Sequence, residues 1–203
     1  TGVNPERHKH FEVIRTELKN EGVIVEMTES GSPTTEVWNT NGGFEWEGKD
    51  PNMAVDFPNN TVSYDFGKTV QWKIREGRDF SREFATDSAA FIINESAAKF
   101  IGLESPVGKT LKWNGTPFTI IGIVSDIMQE SPFYPIRPTL YHTGGYDNMY
   151  NLIMKLGPQQ NTKKSLSSIE QVLKKYTPSV PFDYQFVDEV FGSKFRAEER
   201  IGK

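Results

Sequence analysis

"AFIINESAAKFIGLESPVGKTL", Ala90 to Leu111, decides more of the fold than any other stretch. It belongs to an apolar run, Ser88 to Asn94, that does not alternate, which predicts a strand covered on both faces. Asn94 is placed to cap a short helix, and Gly102 to end it. "KTLKW" and "FTIIGIVSD" then read as strands joined by Asn114-Gly115, a type I′ turn pair. The loop "MQESPFYPIRP" is rich in proline and belongs on the surface.

Upstream, Asn4-Pro5 opens a helix whose apolar residues Phe11, Ile14 and Leu18 share one face, and Gly22 closes it. "VIVEMTE" (23–29) reads as a strand and "SGSP" as a turn. Asn41-Gly42-Gly43 is a hairpin signal. Asp50-Pro51 marks a turn, Ser63 caps a short helix, and "QWKIREGRDFS" is a strand with a glycine turn at Gly77. Downstream the chain reads as β-α-β-α. "NLIMKL" is a strand, and Leu166, Ile169, Leu173 and Tyr176 mark a helix that starts near Asn161. "PFDYQFV" is the next strand, and a helix starts near Asp188. That last helix presents Val187, Val190, Phe191, Phe195 and Ile201 on one face. Gly202 leaves too little chain after it for a glycine cap.

The 203 residues suffice for one substantial core or two small lobes, burying roughly 70% of the unfolded surface. A net charge of −4 without a basic stripe argues against nucleic acid as a partner. The absence of cysteine removes disulfides, thiolate metal sites and a cysteine nucleophile. No run is long and apolar enough to span a membrane, and no secretory signal is present. Thr1 in place of a methionine suggests a trimmed or mature fragment.

Several stretches imitate functional motifs. "GLESPVGKT" (102–110) resembles a phosphate-binding loop, but five residues separate its glycines where four are needed. A helix also precedes it, where the motif requires a strand before and a helix after. His8 and His10 are two apart on a helix and point to different faces. Asn59, Asn94 and Asn114 begin glycosylation-type triplets, yet all three sit at turns or caps. Glu76, Asp79, Asp126 and Glu130 are the acidic candidates, and nothing in the sequence pairs them. No catalytic residue, cofactor or metal ligand is assigned. Trp38, Trp46, Trp72 and Trp113 are expected to pack beneath strands; the alternative is that they line a ligand cleft.

"GRDFS", "AFIINESAAKFIGLESPVGKTL" and "FTIIGIVSDI", in that order and followed by a proline-bearing loop, resemble the extracytoplasmic core domain of MacB-like, FtsX-type ABC transporter permeases. "PFDYQFVDEVFGSKFRAEERIGK" (181–203) is similar to the segment that enters that family's second membrane helix. The resemblance covers Tyr64 to Lys203, and residues 1–60 share only the layout.

It implies an α+β fold of two lobes. A Porter-like βαβ lobe would comprise residues 1–81 and 137–203, with a smaller Sabin-like lobe, residues 82–136, inserted. It also implies a non-catalytic domain outside the cytoplasmic membrane, in the periplasm or on the outer face. Such a domain carries ATP-driven motion for export and contacts cargo or an adaptor. The implied partners are membrane helices of the same chain, a cytoplasmic ATPase, a second permease copy and a periplasmic adaptor or cargo protein. On this reading both chain ends lead to the membrane on one side of the fold. Val187, Val190, Phe191 and Phe195 would dock the last helix as a mechanical coupler, with Glu198 and Glu199 solvated. The competing reading is a free-standing extracytoplasmic ligand- or peptide-binding domain.

Overall fold

The computed structural model describes residues 5–129, 134–158 and 161–201. In chain order the elements are α1 (Pro5–Lys9), α2 (Phe11–Asn20), β1 (Ile24–Ser30), β2 (Asn39–Asn41), β3 (Phe44–Glu45), β4 (Phe57–Thr61), α3 (Phe66–Val70), β5 (Ile74–Gly77), β6 (Ala90–Asn94), α4 (Glu95–Ile101), β7 (Thr110–Trp113), β8 (Thr116–Val124), β9 (Leu140–His142), β10 (Asn151–Leu156), α5 (Thr162–Tyr176) and α6 (Val187–Ile201). The expected Asn4 cap and the Gly202 stop lie outside the described residues, as does Glu130.

The apolar run becomes β6, buried at every residue and central in an eight-stranded sheet. Asn94 caps α4 by accepting the Ala97 N–H at 2.9 Å, and it also accepts the Thr139 N–H at 2.8 Å. It therefore fixes both the start of the helix and the chain entering β9. Asn114 and Gly115, at φ 48° and 80°, make the expected left-handed turn between β7 and β8.

The larger sheet runs β2-β4-β9-β6-β8-β7-β3, with β5 pairing the other end of β8. Its first and last strands, β2 and β3, are separated in the chain only by Gly42 and Gly43. Three Cα–Cα steps span at most about 11 Å, whereas six flat strand spacings would need about 29 Å. The sheet must therefore curl until its two edges approach each other. This corrects the hairpin expected at Asn41-Gly42-Gly43: β2 pairs with β4 and β3 with β7. Gly43, at φ 80°, passes so close to the Asn114 side chain that a Cβ would collide with it. The curl encloses Phe44, Phe57, Phe91, Leu111 and Ile120.

A second sheet consists of β1 and β10, antiparallel. α2 and α5 cover it with Phe11, Ile14, Leu18, Ile169 and Val172. Asn161 caps α5 by accepting the Lys163 and Lys164 N–H groups. The long first helix expected from Pro5 is broken at His10, whose N–H is shared between the Glu6 and Arg7 carbonyls. Residues 181–186 form no strand; Phe182, Tyr184 and Phe186 contact one another in sequence, but no ladder forms. Ser63 is no side-chain cap either: its hydroxyl bonds Thr28 and the Glu29 N–H instead. Strand pairing also crosses both borders of the 82–136 segment, through β3–β7, β5–β8 and β6–β9.

Candidate functional site

The two sheets meet where β1 ends beside β4. Ser30 and Val62 form an isolated bridge, and the Ser63 N–H donates to the Glu29 carbonyl at 2.9 Å. Around this point lies a network of charge. Arg15 Nε and Lys19 Nζ reach the Glu26 carboxylate at 2.6 and 2.8 Å. Arg15 and Arg82 share Asp65 at 3.3 and 2.6 Å, and Arg82 also pairs Glu12. Burial pushes the Glu26 carboxyl up, but the Arg15 and Lys19 bonds and the Met27 N–H outweigh it and hold it down at about 2. Glu29, almost fully buried, faces His8 at 2.6 Å and Arg7 at 3.6 Å. The joint thus ties α2 and β1 to the start of α3 and to Arg82 on the curled-sheet side. Buried charges persist only when paired in this way.

Beside the joint a groove of about 640 Å³ opens between β10, α3, the segment after β8 and the first turns of α6. Trp72 lies in its wall, edge-on to Tyr141 at 5.2 Å, and donates its indole N–H to Asp79 at 3.0 Å. Burial pushes the Asp79 carboxyl up, opposed by that bond and by the Phe80 N–H. Gly67 in α3 leaves the room for this pair, since a Cβ there would run into Asp79 Oδ2 and Trp72 Nε1.

α6 is lightly held. Val187 is 46% exposed and Phe195 37%, while Val190 and Phe191 are half-buried. Val187 and Phe191 face the groove with Ile153 and Met154 of β10. Lys194 anchors the helix by donating to the Thr35 carbonyl at 2.8 Å and pairing Glu36 at 3.2 Å. The four apolar residues singled out from the sequence therefore do not form a fully packed face. The side chains of Glu198 and Glu199 lie outside the described residues.

The other sequence candidates scatter. In "GLESPVGKT" the Gly102 N–H bonds the Ala98 carbonyl and the Gly108 N–H the Ile120 carbonyl, so these donors do not face a ligand. Asn59 and Asn94 are buried. Asp126 accepts the Ser96 N–H and hydroxyl at the start of α4, whereas Glu76 is exposed on β5. No His, Asp and Glu group suited to a metal ion occurs among the described residues. Of the tryptophans, Trp72 is buried, Trp46 and Trp113 pack in the aromatic cluster with Phe44 and Phe57, and Trp38 is exposed. Sequence reasoning missed the joint altogether. Its local trace is limited to α2, where Glu12, Arg15 and Lys19 lie three and four residues apart along the helix.

No helix among the described residues is long and apolar enough to cross a membrane. The fold is shared with solved structures. A domain of a putative permease protein from Porphyromonas gingivalis aligns over 87% of both chains with TM-score 0.57 and 16% identity. The periplasmic region of MacB from Actinobacillus actinomycetemcomitans aligns over 86% of this chain and 80% of that one, with TM-score 0.55 and 19% identity. The extracellular domain of the noncanonic ABC-type transporter YknZ from Gram-positive bacteria gives TM-score 0.54 and 16% identity over 81% and 82%. In sequence, 112 residues are 30% identical to the macrolide export ATP-binding/permease protein MacB of Campylobacter fetus subsp. fetus (strain 82-40). That match covers 50% of this chain and 17% of the relative. The profile of the MacB-like periplasmic core domain matches residues 10–172. With most of its length inside that match and its fold shared with those structures, the chain belongs to the family of MacB-like periplasmic core domains.

Proposed function

We propose that the chain is the extracytoplasmic, non-catalytic part of an ABC transporter permease. It receives ATP-driven displacement from membrane helices of the same polypeptide and changes its grip on cargo or on a periplasmic adaptor. The ATP would be hydrolysed by a cytoplasmic partner, and a second permease copy would complete the assembly at the cytoplasmic membrane. Family membership supports the location, and the contrast between the joint and the groove supports the motion. The sheets share hydrogen bonds and paired charges at the joint, whereas α6 borders an open space. A push along α6 would widen or narrow the groove while the joint acts as hinge. Val187, Val190, Phe191 and Phe195 are the contacts through which α6 would act. We also propose that the lobes follow the sheets, with β1, β10, α2 and α5 nearer the membrane and the curled sheet farther out. Both chain ends would then lead to the membrane on one side of the fold.

The test is paired. Phe191→Ala and Phe195→Ala in the reconstituted parent transporter should lower export of its substrate far more than ATP hydrolysis. Wild-type export by both variants would overturn the coupling role of α6. The groove itself favours a second reading, a ligand-binding domain that needs no membrane partner. That reading predicts full ligand affinity in the isolated chain and no change in it when the parent permease turns over ATP.

A further inference from the structure

The groove differs in character between floor and rim. Phe66, Trp72 and Ile153 give it an apolar floor, and α6 adds Phe191. Its volume of about 640 Å³ lies within the roughly 300–1,000 Å³ typical of small-molecule sites. Lys73, Arg75 and Lys155 stand around it, against one lining carboxylate, Asp126. Asp126 is already engaged by Ser96, at 3.0 Å to its N–H and 2.7 Å to its hydroxyl. Arg75 shares its charge with Glu95 at 3.2 Å in an exposed pair. Lys73 and Lys155 have no acidic partner among the described residues. Ser125 Oγ, in the same wall, is shielded from solvent without a hydrogen-bond partner. On a chain of net charge −4, this is a local excess of positive charge beside apolar surface.

We propose that the groove binds a free single-chain anionic amphiphile, a fatty-acid-like carboxylate. Its tail lies along Phe66, Trp72 and Ile153, and its head sits on the Lys73, Arg75 and Lys155 rim. Tail burial removes apolar surface from water, and the carboxylate supplies the charge that the two lysines lack. A cationic amphiphile of equal length would gain the first and be repelled by the second. The assignment holds whether or not α6 transmits force.

The experiment titrates the 203-residue chain with dodecanoate below its micellar concentration, followed by calorimetry and tryptophan fluorescence. Dodecyltrimethylammonium, butyrate and phosphatidylglycerol vesicles are the comparison arms. Saturable binding of one dodecanoate per chain is expected, about tenfold or more tighter than the cationic analogue, with no binding of butyrate. Lys73→Gln/Lys155→Gln should weaken dodecanoate by about tenfold; both lysines lie at the groove rim, and circular dichroism checks the fold. Trp72→Phe should abolish the fluorescence change while calorimetric binding persists, which places the ligand. Equal affinity for the two charged amphiphiles, an unaffected lysine variant, or binding of vesicles without free dodecanoate would overturn the proposal. Self-association that removes the response would assign the groove to a second copy and overturn it as well.

Discussion

The joint and the groove are neighbouring parts of one contact between two sheets, and they are built in opposite ways. At the joint, Arg15, Glu26, Asp65 and Arg82 are held within 2.6 to 3.3 Å of their partners, with Asp65 only 3% exposed in its side chain. At the groove, Phe191 is half-buried and Val187 is nearly half exposed. The same pair of sheets is therefore locked at one place and unfilled at another. The difference teaches where relative movement would cost least. Separating paired buried charges is expensive, whereas shifting a lightly packed helix exposes little additional apolar surface.

The largest expected effect lies at the joint. Asp65→Ala leaves Arg15 and Arg82 without their shared carboxylate and should lower the unfolding free energy by about 3 kcal/mol, measured by urea denaturation. A loss no greater than that of an exposed residue would remove the contrast. Gly67→Ala comes next. The added Cβ meets Trp72 and Asp79, so about 1–3 kcal/mol should be lost, with a changed Trp72 emission. If it is neutral, the α3 wall of the groove is looser than its contacts indicate.

Acid should act on the joint as well. The Glu26 carboxyl is held at about 2 in the folded chain against an ordinary 4.5. Its folded value is depressed, so its stabilising contribution is present above pH 4.5 and is lost as pH falls from about 4.5 towards 2. Glu26→Gln should flatten the pH dependence of stability in that window; an unchanged acid profile would mean that Glu26 is not the titrating group. At the groove the effects should be small. Val187→Ala and Phe195→Ala should each stay within about 0.5 kcal/mol of wild type, as exposed positions do. Phe191→Ala should cost about 1–2 kcal/mol, below the value for a fully buried ring. A larger loss at Phe195 would show that α6 is docked more firmly than its exposure indicates.

What the sequence made legible depended on the range of the interaction. Asn94, Asn161, Gly102 and Asn114-Gly115 act within a few residues, and each does what its chemistry predicts. Residues 181–186 carry strand-like alternation, but a strand also needs a neighbouring edge, and no local signal says whether one is available. Asn41-Gly42-Gly43 makes no hairpin turn; it is a short link from one edge of the curled sheet to the other. Which strands it joins was set by β4 and β7, 16 or more residues away from Asn41. The joint was hidden for the same reason: Arg15, Asp65 and Arg82 are brought together only once α2, β1 and α3 have packed. The coupling residues were found as a helical stripe, yet periodicity alone could not reveal that half of that stripe stays in solvent.

On the proposed mechanism the joint holds while the groove changes width. The 203 residues contain no cysteine, so once any cysteine elsewhere in the full-length permease is replaced, paired spin labels report from the chosen positions alone. One pair, Val13→Cys with Glu83→Cys, reports across the joint; the other, Ile74→Cys with Ser193→Cys, reports from β5 to α6 across the groove. All four positions are exposed. Distances are compared with and without a non-hydrolysable ATP analogue. The groove pair should give a shifted or broadened distribution and the joint pair an unchanged one. An unchanged groove pair, or a joint pair that moves as much, would contradict that mechanism.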